Sequence, residues 1–135
     1  MSVLDVTSSP VIMGVLNVTP DSFSDGGRFN SIDTAVKQAE QMLMAGAGII
    51  DIGGESTRPG APKVDVQTEL ARVIPVIKKL KSEFNCKISL DTSKAEVMSE
   101  GLTAGIDVIN DVCALSQPGT MEVVAQSDVP ICLMH

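Results

Sequence analysis

The stretch "AGAGIIDI" (45–52) returns in a looser form as "TAGIDVIND" (103–111). In each, a helical stretch closes on Ala-Gly, a β-branched run follows, and that run ends on an acid. Similar runs occur at 10–18, 48–53, 87–91, 107–111 and 130–134. They are apolar on both alternations, the pattern of parallel strands covered on both faces. Between them lie residues at helical period: Ile32, Ala35, Val36, Ala39, Met42 and Leu43, then Leu70, Val73, Ile74, Ile77, Leu80 and Phe84. Asp65 reads as the N-cap of the second helix, and Ser93 with Glu96 as a capping box for the third. Pro75 should kink the second helix or lie in its first turn. A fourth, short helix fits Thr120 to Gln126.

Strand and helix in alternation give an α/β protein with a parallel sheet. The polar residues that close the runs are Asn17, Asp51, Asp91, Asn110 and His135, spaced at roughly the length of one βαβ unit. No G-x-G-x-x-G follows the first strand, which counts against a dinucleotide-binding sheet. Polar residues at the C-terminal ends of the strands favour a (β/α)8 barrel, whose chemistry sits at that end. Such a barrel takes roughly 200–250 residues. The 135 residues of this chain hold about its first five strands and four helices, so residues 1–135 read as the N-terminal half of one barrel domain.

Composition narrows the function. There is no Trp or Tyr and only three Phe, so the core is aliphatic and stacking platforms for nucleic-acid bases are missing. A net charge of −7 argues against a phosphate-backbone partner. No run is long and apolar enough for a membrane span or a signal peptide, which points to a cytoplasmic protein. Cys86, Cys113 and Cys132 lack C-x-x-C spacing and read as reduced, packed thiols.

Three polar clusters follow the strands. "NVTPDSFSDGG" (17–27) is a long polar loop with one apolar residue, Phe23, and a Gly26-Gly27 hinge. The side-chain carbonyl of Asn17 suits a hard cation such as Mg2+, and Asp21, Ser22, Ser24 and Asp25 add acceptors. A solvated surface loop is the competing reading. "DIGGESTRPGA" (51–61) combines Gly53-Gly54, the hydroxyls of Ser56 and Thr57, and the guanidinium of Arg58, a five-donor fork for an anion. Arg58 could equally be a surface arginine, and Asp51 a strand-end acid that holds loop amides. Asp91 and Asn110 form the third cluster. A carboxylate and an amide together match a heterocycle with a guanidine-like edge. Asp111 and Lys94 are secondary candidates, with Lys94 expected to face solvent from the first turn of its helix. His135 has no triad partner in register and is not assigned a catalytic role.

"MGVLNVTPDSFSDGG" (13–27) and "DIGGESTRPGA" (51–61) resemble the two signature stretches of the dihydropteroate synthases. "SLDTSKAEV" (89–97), "VINDV" (108–112) and "ICLMH" (131–135) extend the resemblance in order along the chain. The resemblance implies a (β/α)8 barrel that condenses 6-hydroxymethyl-7,8-dihydropterin diphosphate with p-aminobenzoate. The products are dihydropteroate and diphosphate, a step of folate synthesis that sulfonamides block. It implies Mg2+ as cofactor, held with the diphosphate by Asn17. It places Asp91, Asn110 and Met134 at the pterin, with Asp51 in the supporting shell. Thr57, Arg58 and Pro59 fall near the diphosphate and p-aminobenzoate, and Phe23 covers the bound amine. Asn17, Thr57, Arg58 and Asp91 are the implied catalytic set. The full-length family member is implied to be a homodimer. Residues that the family draws from later strands lie beyond position 135, so weak or absent catalysis is expected of this chain alone. A non-catalytic pterin-binding remnant and a pterin-dependent methyltransferase domain are the alternatives.

Overall fold

The computed structural model describes residues 12–18, 28–54, 63–111, 119–127 and 129–133. Five strands alternate with four helices: β1 (Met13–Asn17), α1 (Arg28–Met44), β2 (Ile49–Gly53), α2 (Val66–Glu83), β3 (Lys87–Asp91), α3 (Ala95–Ala104), β4 (Val108–Asp111), α4 (Thr120–Ala125) and β5 (Ile131–Leu133). Each expected strand is present, trimmed by up to three residues at an end.

All four pairings are parallel, and the strand order is β1-β2-β3-β4-β5. That sequential order separates a barrel from a doubly wound sheet, in which the order reverses at a switch point. The fold is α/β, with part of a (β/α)8 barrel present.

Strand alternation divides the sheet into two faces. Leu16, Ile50, Ile52, Ile88, Leu90 and Ile109 point toward the helices and are fully buried in one cluster with Ala35, Ala39, Val73, Ile77, Leu80, Val97 and Met98. Each such Leu or Ile stabilises the fold by about 1.5–3 kcal/mol. The helices lie side by side over this layer: α1 packs on α2, α2 on α3, and α3 on α4. Gly101 lets α3 approach closely, because a Cβ there would overlap Leu90 Cδ2. The other face carries Val15, Asn17, Ile49, Asp51, Ser89, Asp91, Val108 and Asn110. It is not covered everywhere. Met13 and Val15 on β1 are 38% and 56% exposed. Strand β1 is an edge strand, and none of the described elements lies over that face.

The echo between 45–52 and 103–111 has a backbone cause. Gly46 and Gly105 both adopt left-handed conformations, at φ 108° and 102°. After α1, Ala47 N–H donates to Met42 O and Gly46 N–H to Leu43 O. After α3, Ile106 N–H donates to Gly101 O and Gly105 N–H to Leu102 O. Both helices thus end in the same Schellman turn, which feeds the chain into the next strand.

The caps are mixed. Asp65 Oδ1 accepts from Thr68 N–H at 2.7 Å, as a helix N-cap should. Pro75 lies in the middle of α2, which runs on through it and leaves the Ala71 carbonyl without its helical donor. The capping box at Ser93 and Glu96 does not form. The N-cap position is Lys94, with extended backbone and no side-chain cap, and Thr92 Oγ1 accepts the Lys94 N–H at 3.2 Å. That tight turn directly after β3 moves the helix start one residue beyond the expected cap.

Ion pairs also join elements. Asp107 Oδ2 accepts from Lys81 Nζ at 2.7 Å and from Ile88 N–H at 2.9 Å, while Lys81 Nζ also reaches Cys86 O at 3.1 Å. This clasp ties the end of α2 to the starts of β3 and β4. Cys86 beside it is a buried free thiol whose pKa burial pushes up. Cys113 lies outside the described residues. The second pair corrects an expectation. Lys94 does not face solvent: its Nζ is 2.7 Å from Oε1 of Glu69, whose side chain is 1% exposed. A nearly buried carboxylate on α2 draws the lysine back across the helix interface, since an unpaired charge there is costly. Among the described residues no helix is long and apolar enough to cross a membrane.

Two measurements test these links. Asp107→Ala should lower stability in chemical denaturation by about 2 kcal/mol, because a charged acceptor of two hydrogen bonds is lost. Asp107→Asn, which still accepts from Ile88 N–H, should lose less. Lys94→Met should cost about 3 kcal/mol by stranding the Glu69 carboxylate, and Glu69→Leu added to it should recover most of that loss. Equal destabilisation in the single and double variants would contradict the pair as described.

Candidate active site

The parallel register gathers the strand ends. Asn17 pairs with Gly53, Gly53 with Asp91, Asp91 with Asn110 and Asn110 with Cys132. Residues in register point the same way, so Asn17, Asp91 and Asn110 form one polar row on the face away from the helices. Val15, Asp51, Ser89 and Val108 lie one layer deeper. Gly53 leaves a gap in the row: a Cβ there would meet Asp91 Cβ at 3.5 Å and Oδ2 at 3.6 Å. Its missing side chain keeps the space between Asn17 and Asp91 open.

The members differ in exposure. Asn17 is exposed, Asp91 is half-buried and held by a neighbour, and Asn110 is buried. Asn110 Nδ2 donates a long hydrogen bond, 3.4 Å, to Asp51 Oδ1. Asn110 Oδ1 is buried and has no partner. Buried acceptors are ordinarily satisfied, so an unpaired one at a strand end marks a place for a donor from outside the chain. Asp51 is 4% exposed. Burial pushes its carboxyl above the usual range, and the nearby Ser89 hydroxyl and Asn110 amide pull it partly back. The row can therefore offer two kinds of acceptor, a carboxylate and an amide oxygen, to a flat ligand rich in N–H groups.

Helix α2 braces this end of the sheet. Arg72 Nη1 donates to Gly54 O at 2.8 Å, where the chain leaves β2. A Cβ on Gly54 would press against Val73 Cγ1 at 2.9 Å. With the Glu69–Lys94 pair, these contacts fix the exits of β2 and β3 against the helix layer. Arg72, Glu69 and Ser89 were not singled out from sequence, yet each left a signal. Glu69 is a charge in the buried stripe of α2. Ser89 alternates with Lys87 and Asp91, so β3 has one wholly polar face.

The structure brings together Asn17, Asp51, Asp91 and Asn110. It separates Asp111, fully buried and on the opposite side of β4 by strand alternation. Phe23, Thr57, Arg58, Pro59 and Met134 lie outside the described residues, as do the rest of 19–27 and 55–62. Among the described residues no group of three His, Cys, Asp or Glu could by itself hold a metal ion.

Comparison with known proteins agrees with this geometry. The family model described as pterin binding enzyme matches residues 13–135. Dihydropteroate synthase of Escherichia coli K12 is 56% identical over 128 residues, which are 95% of this chain and 45% of that protein. A solved dihydropteroate synthase of Xanthomonas albilineans with 4-aminobenzoic acid is 51% identical with a TM-score of 0.91, covering 95% of this chain and 47% of its own. The Clostridium difficile enzyme, solved in the presence of pteroic acid, is 54% identical with a TM-score of 0.90, covering 93% and 48%. The chain thus spans about half the length of the relatives it matches. A polar row on parallel strand ends, an unpaired amide oxygen within it and a match from residue 13 onward lead to one conclusion: the chain belongs to the pterin-binding enzyme family.

Proposed function

We propose that this chain carries the pterin and metal side of a dihydropteroate synthase, as the N-terminal half of its barrel domain. The observation that carries the reading is the row Asn17, Asp91 and Asn110, in which Asp91 and Asn110 are in register and the Asn110 oxygen is unpaired. A dihydropterin has an N–H and an amino group along one edge, and that edge matches two adjacent acceptors. The solved relatives with pteroic acid and with 4-aminobenzoic acid support the same substrate pair.

The reaction needs no side-chain nucleophile. The bond from the pterin methylene carbon to the diphosphate oxygen breaks, and its electron pair leaves with diphosphate. The amine nitrogen of p-aminobenzoate then donates its lone pair to that carbon and loses a proton. Asp91 and Asn110 hold the ring so that the methylene carbon faces the loop side of the row. Arg58 is the cation placed by sequence to receive the diphosphate, and Thr57 and Pro59 flank it. Such charge stabilisation at a leaving group is commonly the largest single contribution to rate. Phe23, on the loop after β1, would cover the amine and keep water from capturing the activated carbon. Met134, next to β5, would line the pterin slot.

Mg2+ fits Asn17, an exposed oxygen ligand at the mouth of the sheet. With no carboxylate cluster nearby among the described residues, the ion would take its other ligands from diphosphate and water, as Mg2+ commonly does. When bound, it neutralises charge that develops on the leaving diphosphate. The reading carries with it a cytoplasmic setting, in keeping with folate synthesis.

The test is dihydropteroate formation from the pterin diphosphate, p-aminobenzoate and Mg2+ by the purified protein. Asn17→Ala and Arg58→Ala should each lower kcat by roughly 100-fold. Phe23→Ala should raise the KM for p-aminobenzoate far more than that for the pterin. If Asn110→Ala left pterin binding unchanged, the reading of the row would be wrong.

A further inference from the structure

Asp51 is nearly buried, its pKa is pushed up, and it belongs to a layer below the row that would touch a ligand. The Ser89 hydroxyl and the Asn110 amide both act on it, and the chemistry of the Asn110 contact is specific. A side-chain amide has a donor end and an acceptor end of almost the same shape, so a neighbour decides which way it faces. An ionised carboxylate only accepts. It therefore takes the NH2 end of Asn110, at 3.4 Å, and turns Oδ1 away. That oxygen is the buried atom left without a partner. A neutral acid at position 51 could instead donate to Oδ1, and the amide would turn over and offer its NH2 beside Asp91.

We propose that Asp51 is a positioning residue: its carboxylate sets the Asn110 amide so that Oδ1, in the row that also carries Asp91, presents an acceptor to the donor edge of a pterin. The assignment rests on the pterin reading above. A strut of the fold would be served better by a neutral residue, since burial works against the charge. The charge is useful only if the direction of the amide matters.

The groups facing Asp51 are Ser89 and Asp91 on β3, Asn110 on β4, and Val15 and Asn17 on β1, with Lys87 at the far end of the same face of β3. Asp91 is the other carboxylate there. Asp51→Asn separates the two, because it leaves Asp91 in place.

The experiment measures binding of the pterin diphosphate to wild type and Asp51→Asn between about pH 4 and pH 8, with Tm on the same samples. Wild-type affinity should fall as pH drops through the raised Asp51 pKa, because protonation releases the amide. Asp51→Asn should bind about ten-fold more weakly at the upper end, as expected for one misdirected hydrogen bond. It should lose the part of the acid limb that belongs to Asp51, and its Tm should stay equal or rise as a buried charge disappears. Unchanged affinity, or a loss of affinity together with a fall in Tm, would overturn the proposal. The side-chain NH2 resonance of Asn110 in ligand-free wild type gives a second reading. It should shift with pH as Asp51 titrates, and a resonance that follows no titration overturns the proposal without any variant. If that resonance titrates but wild type binds no pterin, the pterin reading fails while the coupling of Asp51 to Asn110 stands.

Discussion

Parallel pairing in an unbroken sequential register is the constraint on which the rest depends. With a side-chain period of two, slipping any strand by one residue would turn its leucines and isoleucines away from the helices. It would also carry Asn17, Asp91 or Asn110 to the opposite face. The apolar layer that holds α1 to α4 on the sheet therefore also places the polar row. The site needs no separate device to assemble its members, because packing on one face delivers chemistry on the other. The Asp107 clasp secures the opposite end of β3 and β4 in the same register.

The alternation of strands and helices was legible because each strand is short, β-branched and bounded by turn residues. The barrel order was legible from the polar residue at each strand end. Asn17, Asp91 and Asn110 could be found for the same reason. What was hidden depended on contacts between elements distant in sequence. Glu69 and Lys94 lie 25 residues apart, and nothing local says that the lysine turns inward. The pattern Ser-x-x-Glu at 93–96 is a sound local signal, yet the turn set by Thr92 decided where the helix began. Asp51 was read as supporting, but its tie to Asn110, 59 residues away, appears only once β2, β3 and β4 are side by side.

The polar face is unevenly satisfied. Asp51 has an amide to accept from, whereas Asn110 Oδ1 is buried without a partner. Unpaired acceptors of this kind lower stability, and proteins concentrate them where a ligand completes the pairing. The helix side shows the opposite character, with an aliphatic layer and ion pairs at its margins. The molecule thus keeps its apolar packing in the helix layer and its unmet polarity at the strand ends.

The two glycines that end α1 and α3 have open surroundings. A Cβ on Gly46 would meet nothing within 4 Å, and one on Gly105 would meet only Lys81 Cε at 4.0 Å. Room is therefore not what these positions require. They require a mirror-image backbone, which an L-residue adopts at a cost of roughly 1–2 kcal/mol. A D-alanine introduced by chemical synthesis would suit both turns, and it would hold the chain closer to its folded path than glycine does. The repeated stretch at 45–52 and 103–111 is, at its root, a repeated demand for handedness.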